Sequence, residues 1–81
     1  MDYVARTPEQ LGQILKNCRK QLKLTQSGVG SKVGLKQSTI SAIEVHGANA
    51  TIETLYKALS ALGLQLVIRD KSQTGNTQRE W

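Results

Sequence analysis

The chain has 81 residues, a single cysteine and a net charge of +5 at pH 7, from 11 Lys and Arg against 6 Asp and Glu. This length allows one small domain, and a lone cysteine excludes both a disulfide framework and a zinc site built from several cysteines. No apolar run approaches the roughly 20 residues of a membrane span, and the N-terminus carries no hydrophobic signal segment, so we expect a cytoplasmic protein.

The positive charge is concentrated in one part of the sequence. Six basic residues fall within 21 positions that contain no acidic residue: Lys16, Arg19, Lys20, Lys23, Lys32 and Lys36. A clustered basic surface is typical of proteins that bind nucleic acids. The charge pattern therefore favours DNA or RNA as a partner.

Helix-start signals and apolar spacing predict a first helix over about residues 8–22. Thr7 is its N-cap, Pro8 takes the first helical position, and Gln10 completes a capping box. Cys18 lies on the apolar stripe of this helix, so we interpret it as a core residue and not as a reactive thiol.

Two short helices follow, separated by a glycine. Thr25 is the N-cap of a segment that runs to Val33 and closes at Gly34, and a third helix covers about residues 36–45. Glycines inside the shorter segment disfavour a helix, but its caps and apolar spacing support one. Residues 46–49 are predicted to form a loop.

A fourth helix begins after the N-cap Thr51 and ends at Gly63. Together the four helices predict one helical domain over residues 1–63. The apolar stripes that we expect to form its core comprise Leu11, Ile14, Leu15, Cys18, Leu22, Val29, Val33, Ile40, Ile43, Ile52, Leu55, Ala58, Leu59 and Leu62.

The apolar period changes after the fourth helix. Residues 64–70 alternate as a β-strand does, and no second strand is predicted in the same chain. Because an unpaired strand edge favours pairing with another copy, we expect an intersubunit two-stranded ribbon in a twofold homodimer. The expected dimerisation residues are Leu64, Leu66, Val67 and Ile68.

The last segment, residues 71–81, is polar and has one apolar residue, Trp81. Such a segment buries too little apolar surface to order itself, so it is predicted to be a flexible tail. Trp81 is interpreted either as incidental or as an anchor for another protein.

Two short helices joined by a glycine turn predict a helix-turn-helix, whose second helix lies in the major groove of DNA. Ile40 and Ile43 face inward in this arrangement and leave a polar outer face. Gln37 can pair bidentately with adenine, and Lys36 can donate to guanine. The residues expected to meet bases and phosphates are Lys36, Gln37, Ser38, Thr39 and Ser41, with Lys32 as a further phosphate contact.

The run LTQSGVGSKVGLKQSTISAIE resembles the helix-turn-helix of the Xre/Cro–C1 repressors. The resemblance covers about residues 11–63 and implies a lambda-repressor-like, all-α domain of four or five helices, here with one C-terminal β-strand. Gly30, Gly34, Ile40 and Ile43 occupy the positions where that family has a small residue, the turn glycine and two branched apolar residues. The departure is Ser27-Gly28-Val29-Gly30, where the family usually has an acid, Leu and Ala.

HipB-type antitoxins are similar in GLKQSTIS, in the following strand, and in a polar tail that ends in Glu80-Trp81. This resemblance implies a homodimer that represses its own operon at a palindromic DNA operator and binds a HipA-type kinase toxin. It also implies a backbone-contacting role for Gln26 and a structural ion pair between Arg19 and Glu44.

An enzyme is disfavoured, because the chain offers one His, one Cys and six scattered acids, with no P-loop, dinucleotide or metal-ligand spacing. We therefore expect no cofactor, no metal and no catalytic residue, and we interpret His46 as a surface residue. Two alternatives stay open. One is a stand-alone Xre-type repressor without a toxin, and the other is an interaction module that has lost DNA affinity and only neutralises a toxin.

Overall fold

The computed structural model of the chain describes residues 2–70, in which helices follow one another through short connections. They are α1 (Pro8–Gln21), α2 (Gln26–Val33), α3 (Gln37–Val45), a 3₁₀ turn (Gly47–Asn49) and α4 (Ile52–Ala61). The four predicted helices and the all-α helix-turn-helix fold are confirmed, with ends that differ by one or two residues. The segment predicted as a loop contains instead the 3₁₀ turn. The tail and Trp81 lie outside the described residues.

The helix starts follow the predicted caps. Thr7, Thr25 and Thr51 each accept a hydrogen bond at Oγ1 from the backbone N–H three residues later, at 3.0, 2.9 and 3.1 Å. These hydrogen bonds satisfy N–H groups that the first turn of a helix leaves without a backbone acceptor. Three threonines thus define where α1, α2 and α4 begin.

One apolar core joins all four helices. It comprises the buried residues Leu15, Cys18, Val29, Ile40, Ile43, Ala58, Leu59 and Leu62. Three residues predicted to lie in the core do not: Val33 is half-buried outside it, Leu22 is 52% exposed and Ile52 is 67% exposed. Leu22 caps the C-terminus of α1 and Ile52 is the first residue of α4, so both stand at helix ends, beyond the segment that packs on the core.

Two glycines allow backbones to approach closely. A Cβ at Gly12 of α1 would meet the carbonyl oxygens of Ile43 and Glu44 in α3, the second at 2.8 Å. A Cβ at Gly30 of α2 would collide with the carbonyl oxygen of Leu35. The absence of a side chain at Gly30 therefore lets the turn after α2 fold back tightly.

Residues 64–70 form no regular secondary structure in the single chain. Leu64 packs against the core, whereas Leu66, Val67 and Ile68 are exposed, the last at 92%. A ribbon made by two chains requires the second chain, so the strand stays a prediction. Within residues 2–70, no helix is both long enough and apolar enough to cross a membrane.

Candidate nucleic-acid interface

A tight turn connects α2 to α3. Gly34 caps α2 in the left-handed conformation, with φ of 74°, and the Leu35 N–H donates to the carbonyl of Gly30 at 2.8 Å. Lys36 then stands at the N-cap of α3 without a side-chain capping hydrogen bond. A lysine ammonium group only donates and cannot accept from the free N–H groups of the first turn, and Lys36 is exposed.

The orientation of α3 is fixed by its buried side. Ile40 and Ile43 are buried in the core, so the opposite side of the helix faces solvent. That side forms an open surface, which we call the α3 face and which comprises Gln37, Ser38, Ser41, Ala42, Val45 and His46. The α3 face is rich in amide and hydroxyl groups and has no acidic residue in the first turn of the helix.

A buried ion pair lies directly behind this surface. The Arg19 guanidinium donates from Nε to Oε2 of Glu44 at 2.6 Å and from Nη2 to Oε1 at 3.1 Å. Its third nitrogen, Nη1, donates to the carbonyl of Leu24 at 2.8 Å. The two side chains are 11% and 3% exposed, and the expected ion pair between α1 and α3 is confirmed.

The ion pair extends into a chain of hydrogen bonds that reaches the α3 face. Gln26 Nε2 donates to Oε1 of Glu44 at 3.0 Å, and Gln37 Nε2 donates to Oε1 of Gln26 at 2.7 Å. The chain runs from Arg19 through Glu44 and Gln26 to Gln37, which is exposed. Each link limits the rotation of the next side chain, so the exposed amide of Gln37 is positioned from the interior.

The charge of Glu44 is stabilised by this arrangement. Burial on its own would raise the pKa of the Glu44 carboxyl, but hydrogen bonds from Arg19 and Gln26 and the positive charges of Arg19 and Lys16 lower it below its ordinary value. The hydrogen bond to Glu44 raises the pKa of Arg19 in turn. Both groups are therefore charged at neutral pH.

The basic cluster divides into two kinds of residue. Arg19 is buried and ion-paired, so it belongs to the scaffold of the interface. Lys16 is half-buried, and the other four lysines are exposed: Lys20, Lys23, Lys32 and Lys36. These lysines leave positive charge on the surface of α1, of the connection between α1 and α2, of α2 and of the turn before α3.

The predicted DNA-contacting residues lie in different environments. Lys32, Lys36, Gln37 and Ser38 are exposed, whereas Gln26, Thr39 and Ser41 are half-buried. Sequence reasoning placed Gln26 and Gln37 in separate roles and missed the hydrogen bond between them. Their separation of 11 residues indicates nothing by itself, and only the crossing of α2 and α3 brings the two amides together.

Sequence reasoning also missed Ala42 and Val45 as parts of the α3 face. Helical spacing from Ser38 and Ser41 would have found them, because residues three or four positions apart share a side of a helix. Among residues 2–70, no group of three or more His, Cys, Asp and Glu side chains is placed to hold a metal ion.

Comparison with known proteins agrees with this geometry. Residues 15–68 match the helix-turn-helix family. The antitoxin HipB of Escherichia coli K12 is 39% identical over 64 residues, which cover 79% of this chain and 73% of the relative. The antitoxin HipB of Escherichia coli strain CFT073 is 38% identical over 64 residues, covering 79% of this chain and 68% of that protein.

Solved structures of the same kind share the fold. A HipA–HipB–O2–O3 complex contains a chain that superimposes with a TM-score of 0.84 at 35% identity, covering 88% of this chain and 100% of that one. A HipB–O4 20mer complex gives a TM-score of 0.83 at 35% identity, with the same coverage.

Proposed function

The chain belongs to the HipB-type antitoxins of the helix-turn-helix family, and we propose that it acts as a homodimer that represses its own operon and neutralises a HipA-type kinase toxin. Members of this family are DNA-binding antitoxins and not enzymes. Binding of the operator and binding of the toxin are separate parts of the proposal, and each has its own support.

The observation that carries the DNA-binding part is the hydrogen bond from Gln37 to Gln26. A glutamine amide has two N–H donors and one carbonyl oxygen, and this contact uses one N–H. The second N–H and the oxygen are the pair that reads the N7 and N6 atoms of adenine in the major groove. Gln37 therefore retains its base-reading groups while part of its rotational entropy is already lost in the free protein.

Exposed lysines supply the contacts to the DNA backbone in this proposal. Lys32 lies in the last turn of α2 and Lys36 precedes α3, so they stand on either side of the glycine turn. Gln26 begins α2, and the N–H of its amide that does not donate to Glu44 can donate to a phosphate. Neither α2 nor α3 carries an acidic residue in its first turn, where a carboxylate would repel DNA.

Other residues of α3 can also contact bases in this proposal, because they lie on the same side of the helix as Gln37 or beside it. Ser38, Thr39 and Ser41 are the hydroxyl-bearing residues on or beside the α3 face, and hydroxyl groups can donate to or accept from bases and phosphates. In a twofold dimer, two copies of α3 would read the two halves of a palindrome, with half-sites about 34–36 Å apart.

The dimer is supported by the apolar residues that follow α4. Leu64 is held against the core, while Leu66, Val67 and Ile68 leave apolar surface exposed next to it. Pairing of residues 64–70 with the same segment of a second chain would cover that surface and satisfy the backbone groups of both segments.

The toxin part is supported by the family and by the relative that was solved together with HipA. We include Trp81 as a toxin contact, on the resemblance of the terminal Glu80-Trp81 to the tails of HipB-type antitoxins.

The experiment has two arms. The protein is titrated against the DNA upstream of its own gene and against a scrambled duplex of equal length, and it is co-expressed with a tagged HipA-type kinase from the same operon. Tight binding of the upstream DNA together with retention on the kinase supports the full proposal. DNA binding without retention would identify a stand-alone repressor, and retention without DNA binding would identify a pure neutralising module.

A further inference from the structure

The segment before α1, residues 2–6, is held in place, and we call it the N-terminal arm. The first residues of most domains are poorly ordered unless contacts tie them down. Here the backbone N–H of Arg6 donates to Oε1 of Gln10 at 2.6 Å. The arm is thus attached to the first turn of α1.

A second contact joins the arm to the segment after α4. Arg69 Nη1 donates to Oδ2 of Asp2 at 3.1 Å, across 67 residues of sequence. Both side chains are exposed, so the ion pair adds little to stability. Its importance is geometric, because it places the start of the arm beside the end of the segment that we expect to pair between subunits.

Both segments carry exposed apolar side chains. In the arm, Tyr3 is 42% exposed and Val4 is 69% exposed. In the neighbouring segment, Leu66, Val67 and Ile68 are exposed as well. Apolar side chains exposed on two neighbouring segments are typical of a site where another protein surface packs.

A ribbon of two short strands does not make a stable dimer by itself. Seven residues extend over about 23 Å at about 3.3 Å per residue. An isolated pair of strands is marginal in water and needs a further strand or a packing surface to be stable. Specific dimers bury about 800 Å² on each subunit, which calls for apolar surface next to the ribbon.

We propose that the N-terminal arm is part of the homodimer interface, with Tyr3 and Val4 of each chain packing against the ribbon that Leu66, Val67 and Ile68 form with a second copy. This inference rests on the homodimer of the proposed function. The second copy is the occupant that fits, because the arm is attached to the dimerising segment itself through Arg69.

Sedimentation equilibrium of the full-length protein tests the inference. Val4→Glu places a charge in the interface and should raise the dimer dissociation constant at least tenfold. Gln13→Glu is the matched control, because it adds the same charge at an exposed position of α1. It should change the dimer dissociation constant less than twofold. Ile68→Glu disrupts the ribbon directly and should also raise the constant at least tenfold. Circular dichroism checks that each variant is folded, and Val4→Ser replaces Val4→Glu if that variant is not.

The outcomes separate the inference from the proposed homodimer. An unchanged constant for the Val4 variants together with a raised constant for Ile68→Glu would overturn the role of the arm and keep the ribbon. Loss of kinase binding by the Val4 variants with an unchanged dimer would also overturn it, because the toxin would then be the occupant. A wild-type protein that stays monomeric at all concentrations would contradict both.

Discussion

Gln37, at the start of α3, donates a 2.7 Å hydrogen bond from Nε2 to Oε1 of Gln26, at the start of α2. Gln26 in turn donates to Glu44, which is buried against Arg19. The side chain proposed to read a base is therefore connected to the interior of the domain through one amide. The buried ion pair and the proposed base-reading side chain therefore belong to one chain of four residues.

The ion pair behind the α3 face should be needed for stability. Glu44→Gln removes the negative charge that compensates a buried guanidinium, and such a loss costs about 3–5 kcal/mol of unfolding free energy. Urea denaturation followed by circular dichroism measures it. Glu53→Gln is the control, since the Glu53–Lys57 pair is exposed with a 3.9 Å separation and should contribute less than about 1 kcal/mol. Equal effects of the two variants would contradict the structural role of Glu44.

The same pair predicts how stability depends on pH. The pKa of Glu44 lies below its ordinary value of 4.5 in the folded protein. Its contribution is therefore complete above the unfolded-state pKa and is lost as the pH falls through the folded-state pKa. The difference in unfolding free energy between the wild type and Glu44→Gln should shrink from pH 7 toward pH 3. A difference that stays constant over that range would contradict the assignment.

Close packing of α1 on α3 should make Gly12 intolerant of any side chain. Gly12→Ala places a methyl group against the carbonyl oxygens of Ile43 and Glu44, and such overpacking typically costs about 1–3 kcal/mol. The control is Gly28→Ala, also within a helix, where the added Cβ would meet only Thr25 Oγ1, at 3.0 Å. Both variants gain about 1 kcal/mol of helix propensity. Thermal unfolding should therefore show a lower Tm for Gly12→Ala than for Gly28→Ala, and the reverse order would refute the close approach.

Lys32 should contribute to DNA affinity without regard to sequence. Lys32→Ala removes one phosphate contact, so it should weaken binding to all duplexes alike and reduce the slope of log Kd against log salt by about 1. Lys57→Ala removes the same charge from α4, where Lys57 pairs with Glu53, and should leave the slope unchanged. Fluorescence anisotropy at several salt concentrations gives both slopes. Identical slopes for the wild type and Lys32→Ala would remove Lys32 from the interface.

Local signals predicted the helices because each is defined by its own residues. Thr7, Thr25 and Thr51 cap helices within three residues, and Gly34 ends α2 in a conformation that glycine adopts readily. The ion pair between Arg19 and Glu44 was an expectation from the resemblance to related repressors. No local rule could have given it, since the two residues are 25 positions apart.

The features that sequence reasoning could not predict depend on contacts between residues that are distant in the sequence or in different chains. Periodicity assigned Ile52 to the core, but burial depends on what packs against the end of a helix. The link between Gln26 and Gln37 depends on how α2 crosses α3. The pairing of residues 64–70 depends on a second chain, and the alternation of apolar residues indicates the strand without showing its partner.

The proposal that α3 recognises a DNA sequence is tested most directly by asking whether Gln37 reads a base. The wild type and a Lys36→Ala/Gln37→Ala variant are titrated against the upstream DNA, against single-base-pair variants of it and against scrambled DNA, at about 50 and 200 mM salt, with Gln13→Ala as control. Wild-type affinity should fall about 10³–10⁵-fold between those salts if about 6–10 phosphates are contacted. Gln37→Ala alone should weaken the binding free energy for the operator by about 1–3 kcal/mol and remove the preference at one base pair. The double variant should bind the operator no more tightly than scrambled DNA. Variants that rank the duplexes as the wild type does would contradict base reading by Gln37 and move recognition to another surface.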